Sequence, residues 1–236
     1  IINADSMQIY DGLAILTAQP SAKDRQTHPH ELYAHLHPNE DCSAGNWREI
    51  VEPLIKDILA QGKVPIVVGG SGLYINALIE GLSPIPDMPD DIRQAANAKQ
   101  KELGNPAFHQ ALAARDPVMA ERLDPFNTAR LIRAWEVLDA TGRSLADWQE
   151  LPRSGPPDNW NFKVTLVMPD RETLYERCNK RFISMLENGA LEELEAFNER
   201  IQAGEIKKNA LLTHALGAEP LTGYLNGALT KDDINQ

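Results

Sequence analysis

The sequence predicts an α/β fold in which a parallel-sheet core is interrupted by an all-helical insertion. Three observations carry this reading. Short apolar, β-branched runs occur at Ile1-Ile2, in KVPIVVGG at 63–70 and in WNFKVTLVMP at 160–169, with helical patterns after the second and third. Between 89 and 155 the pattern is helical throughout, with no strand run. Proline-rich stretches, SPIPDMP at 83–89 and PRSGPPDN at 152–159, mark both borders of that region. The core is therefore read as residues 1–88 with 156–236, and the helical insertion as 89–155.

Taken in order, Ile1-Ile2 reads as the end of a buried strand, with Asp5, Ser6 and Gln8 at its C-terminal tip. In open α/β sheets the crevice beyond the strand ends is where ligands bind, which makes this tip a candidate site. Asp and Ser serve equally well as helix N-caps, and spacing alone leaves both roles open. The stretch from Thr17 to Trp47, with Pro20, Pro29 and Pro38, has little periodicity and reads as a long loop. From Ser43 a helix is predicted, placing Trp47, Ile50, Val51, Leu54, Ile55, Ile58 and Leu59 on one face, and Gly62 ends it. KVPIVVGG is a buried strand and SGLYINALIEG the helix after it, joined by a glycine turn.

Four helical patterns fill the insertion: DDIRQAANAKQKELG, PAFHQALAARD, PVMAERLD and NTARLIRAWEVLDATG. WNFKVTLVMP then returns to strand, and RETLYERCNKRFISMLENGALEELEAF reads as one long helix. A last helix is predicted to begin at Thr230 to Asp233. The absent initiator Met and this late helix lead to the expectation of a fragment lacking both ends.

A net charge of −11 and an isoelectric point near 5.0 argue against a broad nucleic-acid-binding surface, because phosphate-backbone affinity comes from Lys and Arg releasing counterions. That argument concerns the average and leaves a local patch open. Cys42 and Cys178 lie far apart and in no metal-ligand spacing, so a disulfide framework is not expected and a reducing cytoplasm fits. No signal peptide or membrane-length apolar run is present.

Several residue groups have two readings each. The Gly69-Gly70-Ser71-Gly72 turn could present backbone N–H groups to an anion, or simply join strand to helix. No GxxxxGK[ST] loop occurs. His28, His30, His35 and His37 resemble a ligand cluster, but HPH and HLH match no common metal spacing, and solvated or backbone-bonded histidines are the simpler reading. Arg130 with Arg133, and Arg177 with Arg181, share helix faces; each pair could clamp phosphate oxygens or lie on a solvated, ion-paired face.

In series, DSMQIY, TAQPS, PHELY, VVGGSGLYINALIEGL, ARLIRAWEV and RCNKRFISML resemble the tRNA dimethylallyltransferases, or tRNA isopentenyltransferases, over nearly the whole chain. The resemblance implies a P-loop NTPase-like parallel core with an inserted helical domain. It implies transfer of a dimethylallyl group from dimethylallyl diphosphate to N6 of the adenosine 3′-adjacent to the anticodon of tRNA, with Mg2+. By the same resemblance Asp5 is the general base, and Asp5, Ser6, Met7 and Gln8 line the pocket for the target base, with Gln8 offering a donor and an acceptor to an adenine edge. Arg181 matches the diphosphate-contacting position, Arg177 assists it, and Ser71 and Thr17 are polar groups near the reacting centre. Arg93 and the segment Ala129, Arg130, Leu131, Ile132 and Arg133 correspond to tRNA contacts. Partners are then the tRNA anticodon stem-loop and dimethylallyl diphosphate, with no membrane, in a monomeric cytoplasmic protein; the metal ligands stay unassigned.

The chain departs from the family pattern at several places. Ser71 stands where most members have Thr, Ala129 replaces a usual Gln, Gln19 a usual Lys, and His214 to Glu219 a more basic sequence. The family's N-terminal GxTxxGK[ST] loop and basic C-terminal helix are not in this sequence, so the chain as given is expected not to bind dimethylallyl diphosphate productively. Two alternatives remain open at this point: prenyl transfer to free adenine nucleotides, and a noncatalytic RNA-binding remnant.

Overall fold

A computed structural model describes residues 1–230. The order of elements is β1 (Ile2–Asn3), α1 (Ala22–Thr27), α2 (Ala44–Ala60), β2 (Val67–Val68), α3 (Gly72–Ile79), α4 (Asp90–Ala113), α5 (Pro117–Arg122), α6 (Thr128–Thr141), α7 (Leu145–Gln149), α8 (Arg171–Glu187), α9 (Ala190–Gln202), a 3-10 turn (Leu211–His214) and α10 (Ala218–Leu225). Two compact units result: Ile1–Ile79 together with the chain from Asn159 on, and Glu80–Asp158. Apart from Thr230, the helix expected at Thr230 to Asp233 lies outside the described residues.

In the first unit β1 and β2 pair in parallel, Ile2 opposite Val67 and Asn3 opposite Val68. On its other side β1 is flanked by Glu31, whose carbonyl accepts the Asn3 N–H at 3.0 Å. Helix α2 begins where Ser43 and Asn46 cap each other reciprocally, and it buries Ala44, Trp47, Val51 and Ile55, one residue per turn, while Leu59 at its end is exposed. Ile2, Ile9, Tyr10, Leu13, Leu194, Phe197 and Leu212 are fully buried with them.

Three expectations need correction in this unit. The loop from Thr17 to Trp47 contains α1, started by a reciprocal Ser21–Asp24 capping box. The single long helix of 171–197 is two helices, because Gly189 takes a left-handed φ of 96° and turns the chain between α8 and α9. WNFKVTLVMP forms no strand; among the described residues no ladder partner meets it, and Val164, Leu166, Val167 and Met168 are 71–80% exposed. The observed sheet is accordingly small, two short parallel strands in a helix-rich unit.

The second unit is helical. α4 is broken at Gly104, with φ 71° and ψ 164°, just before Pro106, as the sequence break between ELG and PAF anticipates. Phe108 packs on Trp135 with ring centroids 5.0 Å apart, and Leu112, Leu131, Ala134 and Val137 complete the core. Asp116 is buried and caps α5, accepting the Met119 N–H at 3.0 Å, and it also accepts at 2.7 Å the hydroxyl of Ser144, the residue that caps α7.

This unit starts at Glu80 rather than at residue 89. Ser154 N–H donates to the Leu82 carbonyl at 2.9 Å and Arg153 pairs with Glu80, so the two crossing segments meet in an isolated antiparallel bridge just ahead of Pro84 and between Pro152 and Pro156. Gly81 has φ +83°, and a Cβ there would stand 2.1 Å from the Ser154 oxygen, so only glycine fits the crossing. Proline marks the borders in sequence; the backbone pairing sets them in space. No helix among the described residues is long and apolar enough to cross a membrane.

Candidate active site

The tip of β1 is organised by a buried asparagine. Asn3 is fully buried, and its Nδ2 donates to the carbonyls of Asp5 (3.0 Å) and Leu32 (3.1 Å) while its Oδ1 accepts the Asp5 N–H at 2.9 Å. Its own carbonyl accepts the Trp47 indole N–H at 3.0 Å. An amide with all its groups bonded in the core fixes the direction in which the chain leaves the strand.

The chain turns at Asp5 through its own side chain. Asp5 Oδ1 accepts the N–H of Met7 at 2.8 Å and of Gln8 at 3.2 Å, an Asx-type turn; no helix starts here, so the helix N-cap reading left open by the sequence is not the role the residue takes. The other carboxylate oxygen is not used in this way. Oδ2 faces the glycine turn, 3.7 Å from where a Cβ on Gly70 would stand. One oxygen thus orients the carboxylate within the turn and the other is presented to the glycine turn.

The glycine turn comes close because β2 ends against β1. A Cβ on Gly69 would lie 2.2 Å from the carbonyl carbon and oxygen of Ala4, so a side chain is excluded there. Ser71 closes the contact twice, its N–H donating to the Ala4 carbonyl at 3.1 Å and its Oγ accepting the Ser6 N–H at 2.8 Å. Ser71 and the Asp5–Gln8 turn are thus brought together.

Gln8 differs from expectation. Its Nε2 donates to the carbonyls of Thr17 (2.8 Å) and Ala18 (3.0 Å), so the donors expected for an adenine edge are committed to the 13–19 loop and only Oε1 remains an acceptor. Gln19 answers it, donating from Nε2 to the carbonyls of Gln8 (3.1 Å) and Tyr10 (2.9 Å). The Thr17 hydroxyl donates to Leu13 O at 2.6 Å, which leaves its lone pairs as acceptors.

Two phenols feel the Asp5 charge. Burial foremost, and then the negative charge of Asp5, raise the pKa of Tyr33, over whose ring Arg25 sits at 5.9 Å. Burial also raises that of Tyr74, helped by its hydrogen bonding at Cys42, where the phenol donates to the main-chain carbonyl at 2.9 Å. Both stay protonated at neutral pH, as does the Cys42 thiol, which burial pushes up.

The arginines are placed differently. Arg177 and Arg181 are exposed on α8, and neither forms an ion pair among the described residues; Glu176 pairs with Lys180 instead, at 2.6 Å. In the helical unit Arg130 is exposed at the start of α6. Arg133 lies 3.6 Å from the buried Glu136, and Arg93 3.6 Å from Asp90. Leu131 is fully buried and Ile132 packs on the core, so within 129–133 only Ala129, Arg130 and Arg133 offer side chains to a partner. His214 and Glu219 line a cavity of about 320 Å3 with Lys208 and Phe197.

Among the described residues no group of three or more His, Cys, Asp or Glu side chains is placed to hold a metal ion. The loop histidines bond locally, His30 to the His28 carbonyl at 2.8 Å and His37 to the Asn39 N–H at 3.2 Å. Sequence reasoning passed over Asn3 and Glu193, and it noted Gln19 only as a departure from a usual Lys. An amide directly after two isoleucines was the available signal for Asn3; nothing local distinguished Glu193, which sits in an acidic run.

The sequence profile of the IPP transferase family matches residues 8–236. A tRNA dimethylallyltransferase of Paramagnetospirillum magneticum is 46% identical over 232 residues, 98% of this chain and 72% of the relative. That of Rhodospirillum centenum is 45% identical over 229 residues, 97% and 72%. Among solved structures, a full-length tRNA isopentenylpyrophosphate transferase from Bacillus halodurans is similar with a TM-score of 0.59 at 30% identity, over 99% of this chain and 71% of that one. A eukaryotic dimethylallyltransferase acting on tRNA has a TM-score of 0.76 at 21% identity, over 99% and 58%, a likeness of fold. With matches that run along nearly all of its length, the chain belongs to the IPP transferase family.

Proposed function

We propose that this protein is a tRNA dimethylallyltransferase, moving a dimethylallyl group from dimethylallyl diphosphate to N6 of the adenosine beside the anticodon. The observation that carries this is the Asp5 carboxylate, held at the β1 tip by two main-chain N–H groups on Oδ1 with Oδ2 turned to the glycine turn. In the reaction the N6 nitrogen attacks the allylic carbon, the carbon–oxygen bond breaks, and diphosphate leaves with the electron pair. The N6 proton passes to Asp5, because a lone pair conjugated into the purine ring is a weak nucleophile without a base. Arg181, with Arg177, meets the charge growing on diphosphate; their exposure and their lack of acidic partners among the described residues support that role. Ser71 holds the Asp5–Gln8 turn, and Thr17 borders it through Gln8.

Magnesium is proposed to arrive with the diphosphate. The described residues offer no cage of acidic ligands, and this ion commonly binds through substrate phosphates and one or two carboxylates. Its contribution would be to neutralise the leaving group. The parallel pair of strands with α3 behind the glycine turn supports a P-loop-type core, and exposed Arg93, Arg130 and Arg133 on the helical unit support a grip on the anticodon stem-loop. That grip favours tRNA over a free nucleotide. Splaying the base out of its loop, as reaction at N6 requires, is within the means of such a two-unit protein. A monomeric, cytoplasmic protein suits this work.

The test is Asp5→Asn in the encoded protein. An asparagine Oδ1 can accept the same two N–H groups, so the turn and tRNA affinity should persist while dimethylallyl transfer falls by about 10²- to 10⁴-fold. Unchanged turnover in a radiolabelled transfer assay would remove Asp5 as the base. Arg181→Ala should raise the KM for dimethylallyl diphosphate; a loss confined to tRNA affinity would move it to the other substrate.

A further inference from the structure

The 13–19 loop, which borders the Asp5 turn, is held from the far end of the chain. Glu193 lies in the first turn of α9, and its carboxylate accepts the Ile15 N–H at 2.9 Å (Oε1) and 3.1 Å (Oε2) and the Leu16 N–H at 3.0 Å (Oε2). Two consecutive main-chain N–H groups on one carboxylate form a small anion nest filled by the protein itself, with charge-assisted bonds. The surroundings keep the fit tight. A Cβ on Gly12 would stand 3.1 Å from the Phe197 ring, one turn further along α9.

From Glu193 an unbroken series of hydrogen bonds reaches the base. Ile15 O accepts the Ala18 N–H at 2.9 Å and Leu13 O the Thr17 N–H at 3.0 Å, which folds the loop. Ala18 is thereby kept at φ +56°, a left-handed conformation that a non-glycine residue adopts only where its neighbours enforce it. Thr17 O and Ala18 O then accept Gln8 Nε2, and the Gln8 N–H donates to Asp5 Oδ1 at 3.2 Å. Gln8 cannot hold this bond and its two loop contacts unless the loop carbonyls stay where Glu193 sets them.

We infer that Glu193 is a positioning residue for prenyl transfer, orienting Asp5 through the 13–19 loop and Gln8; this rests on the function proposed above. Because α8, with Arg177 and Arg181, runs into α9 through Gly189, the same helical pair carries the arginines assigned to the leaving group and fixes the carboxylate assigned to the nucleophile. Correct docking of α9 is then a condition for both halves of the reaction.

Glu193→Gln and Glu193→Ala in the encoded protein, compared by steady-state kinetics and amide hydrogen exchange, test this. The isosteric Gln keeps one acceptor oxygen and turns an NH2 toward the main-chain donors, so it should survive folding even if Ala does not. Expected for Gln are faster exchange at Ile15 and Leu16 with α2 amides unchanged, and kcat about 10-fold lower with KM for tRNA within about 2-fold; Ala should lose about 100-fold where it folds. Faster exchange with unchanged kcat would overturn the positioning role, and unchanged exchange would overturn the clamp itself. Absence of transfer by the unsubstituted protein would instead overturn the proposed function, while exchange would still report on the clamp.

Discussion

The Trp47 indole donates to the main-chain oxygen of Asn3 at 3.0 Å, joining the most buried face of α2 to the end of β1. Asn3 in turn bonds both main-chain groups of Asp5 and the carbonyl of Leu32, itself at φ +62°. Asn3→Leu keeps the branched shape, though not the volume, and orphans these partners. A loss of about 3 kcal/mol is expected in urea unfolding, since each buried unsatisfied group costs about 1–3 kcal/mol. Trp47→Phe, which removes a single donor from the Asn3 oxygen, should cost less.

Gly69→Ala places a methyl 2.2 Å from the Ala4 backbone. No rotamer relieves a clash with main chain, so β1 and β2 must separate. The variant should lose the parallel pairing and all transfer activity. Gly72→Ala, three residues on, meets nothing within 4 Å and should retain both, measured by circular dichroism and the transfer assay.

Ser71→Ala strips the Ser6 N–H of its acceptor, at 2.8 Å, and loosens the turn that carries Asp5. About 1–2 kcal/mol of stability should go, with a fall in kcat rather than in tRNA affinity. Ser71→Thr retains the hydroxyl and should behave as the parent.

Within the 129–133 segment the expected effects divide by burial. Arg130→Ala should weaken tRNA binding and reduce the slope of log K against log salt by roughly 0.7–0.9, the loss of one phosphate contact. Arg133→Ala should do less, because Glu136 already neutralises that guanidinium in part, at 3.6 Å. Leu131→Ala should cost about 3 kcal/mol of stability and leave the salt slope unchanged, as its side chain is fully buried.

Acid should fray α8 from its start. Asp170 caps it, accepting the Thr173 N–H at 2.8 Å and the Thr173 hydroxyl at 2.7 Å, and these bonds hold its carboxyl below the usual 3.8. A carboxyl depressed in the folded state stabilises above its unfolded pKa, and that contribution is lost as pH falls through the folded value. Amide exchange at Thr173 should therefore stay constant from pH 7 to 5, after correction for intrinsic rates, and show weaker protection only below about pH 4. Asp170→Ala should abolish the acid dependence.

What was legible in the sequence was what local chemistry dictates. Ser43 with Asn46, the break at Gly104-Pro106 and the apolar spacing of 127–142 specify helices within a few residues, and the structure keeps them. Asp5, Ser6, Gln8 and Ser71 were legible as a group through family resemblance, and hydrogen bonds join them. What escaped depends on partners distant in sequence. The KVTLVM run has strand composition, yet a strand needs a neighbour's ladder, which composition cannot supply. Glu193 reaches Ile15 across 178 residues, and Gln8 looks like a base reader until the Thr17 and Ala18 carbonyls are seen to occupy its donors.

The exposed stretch at 163–168 has a consequence for handling the protein at high concentration. Three of its six residues, Val164, Thr165 and Val167, are β-branched; it carries one charge and no proline ahead of Pro169, and its apolar side chains stand in water. Such a stretch is a template for cross-β stacking. Away from the Asp5 turn, a Val167→Lys gatekeeper should delay turbidity at high concentration without touching any hydrogen bond around Asp5.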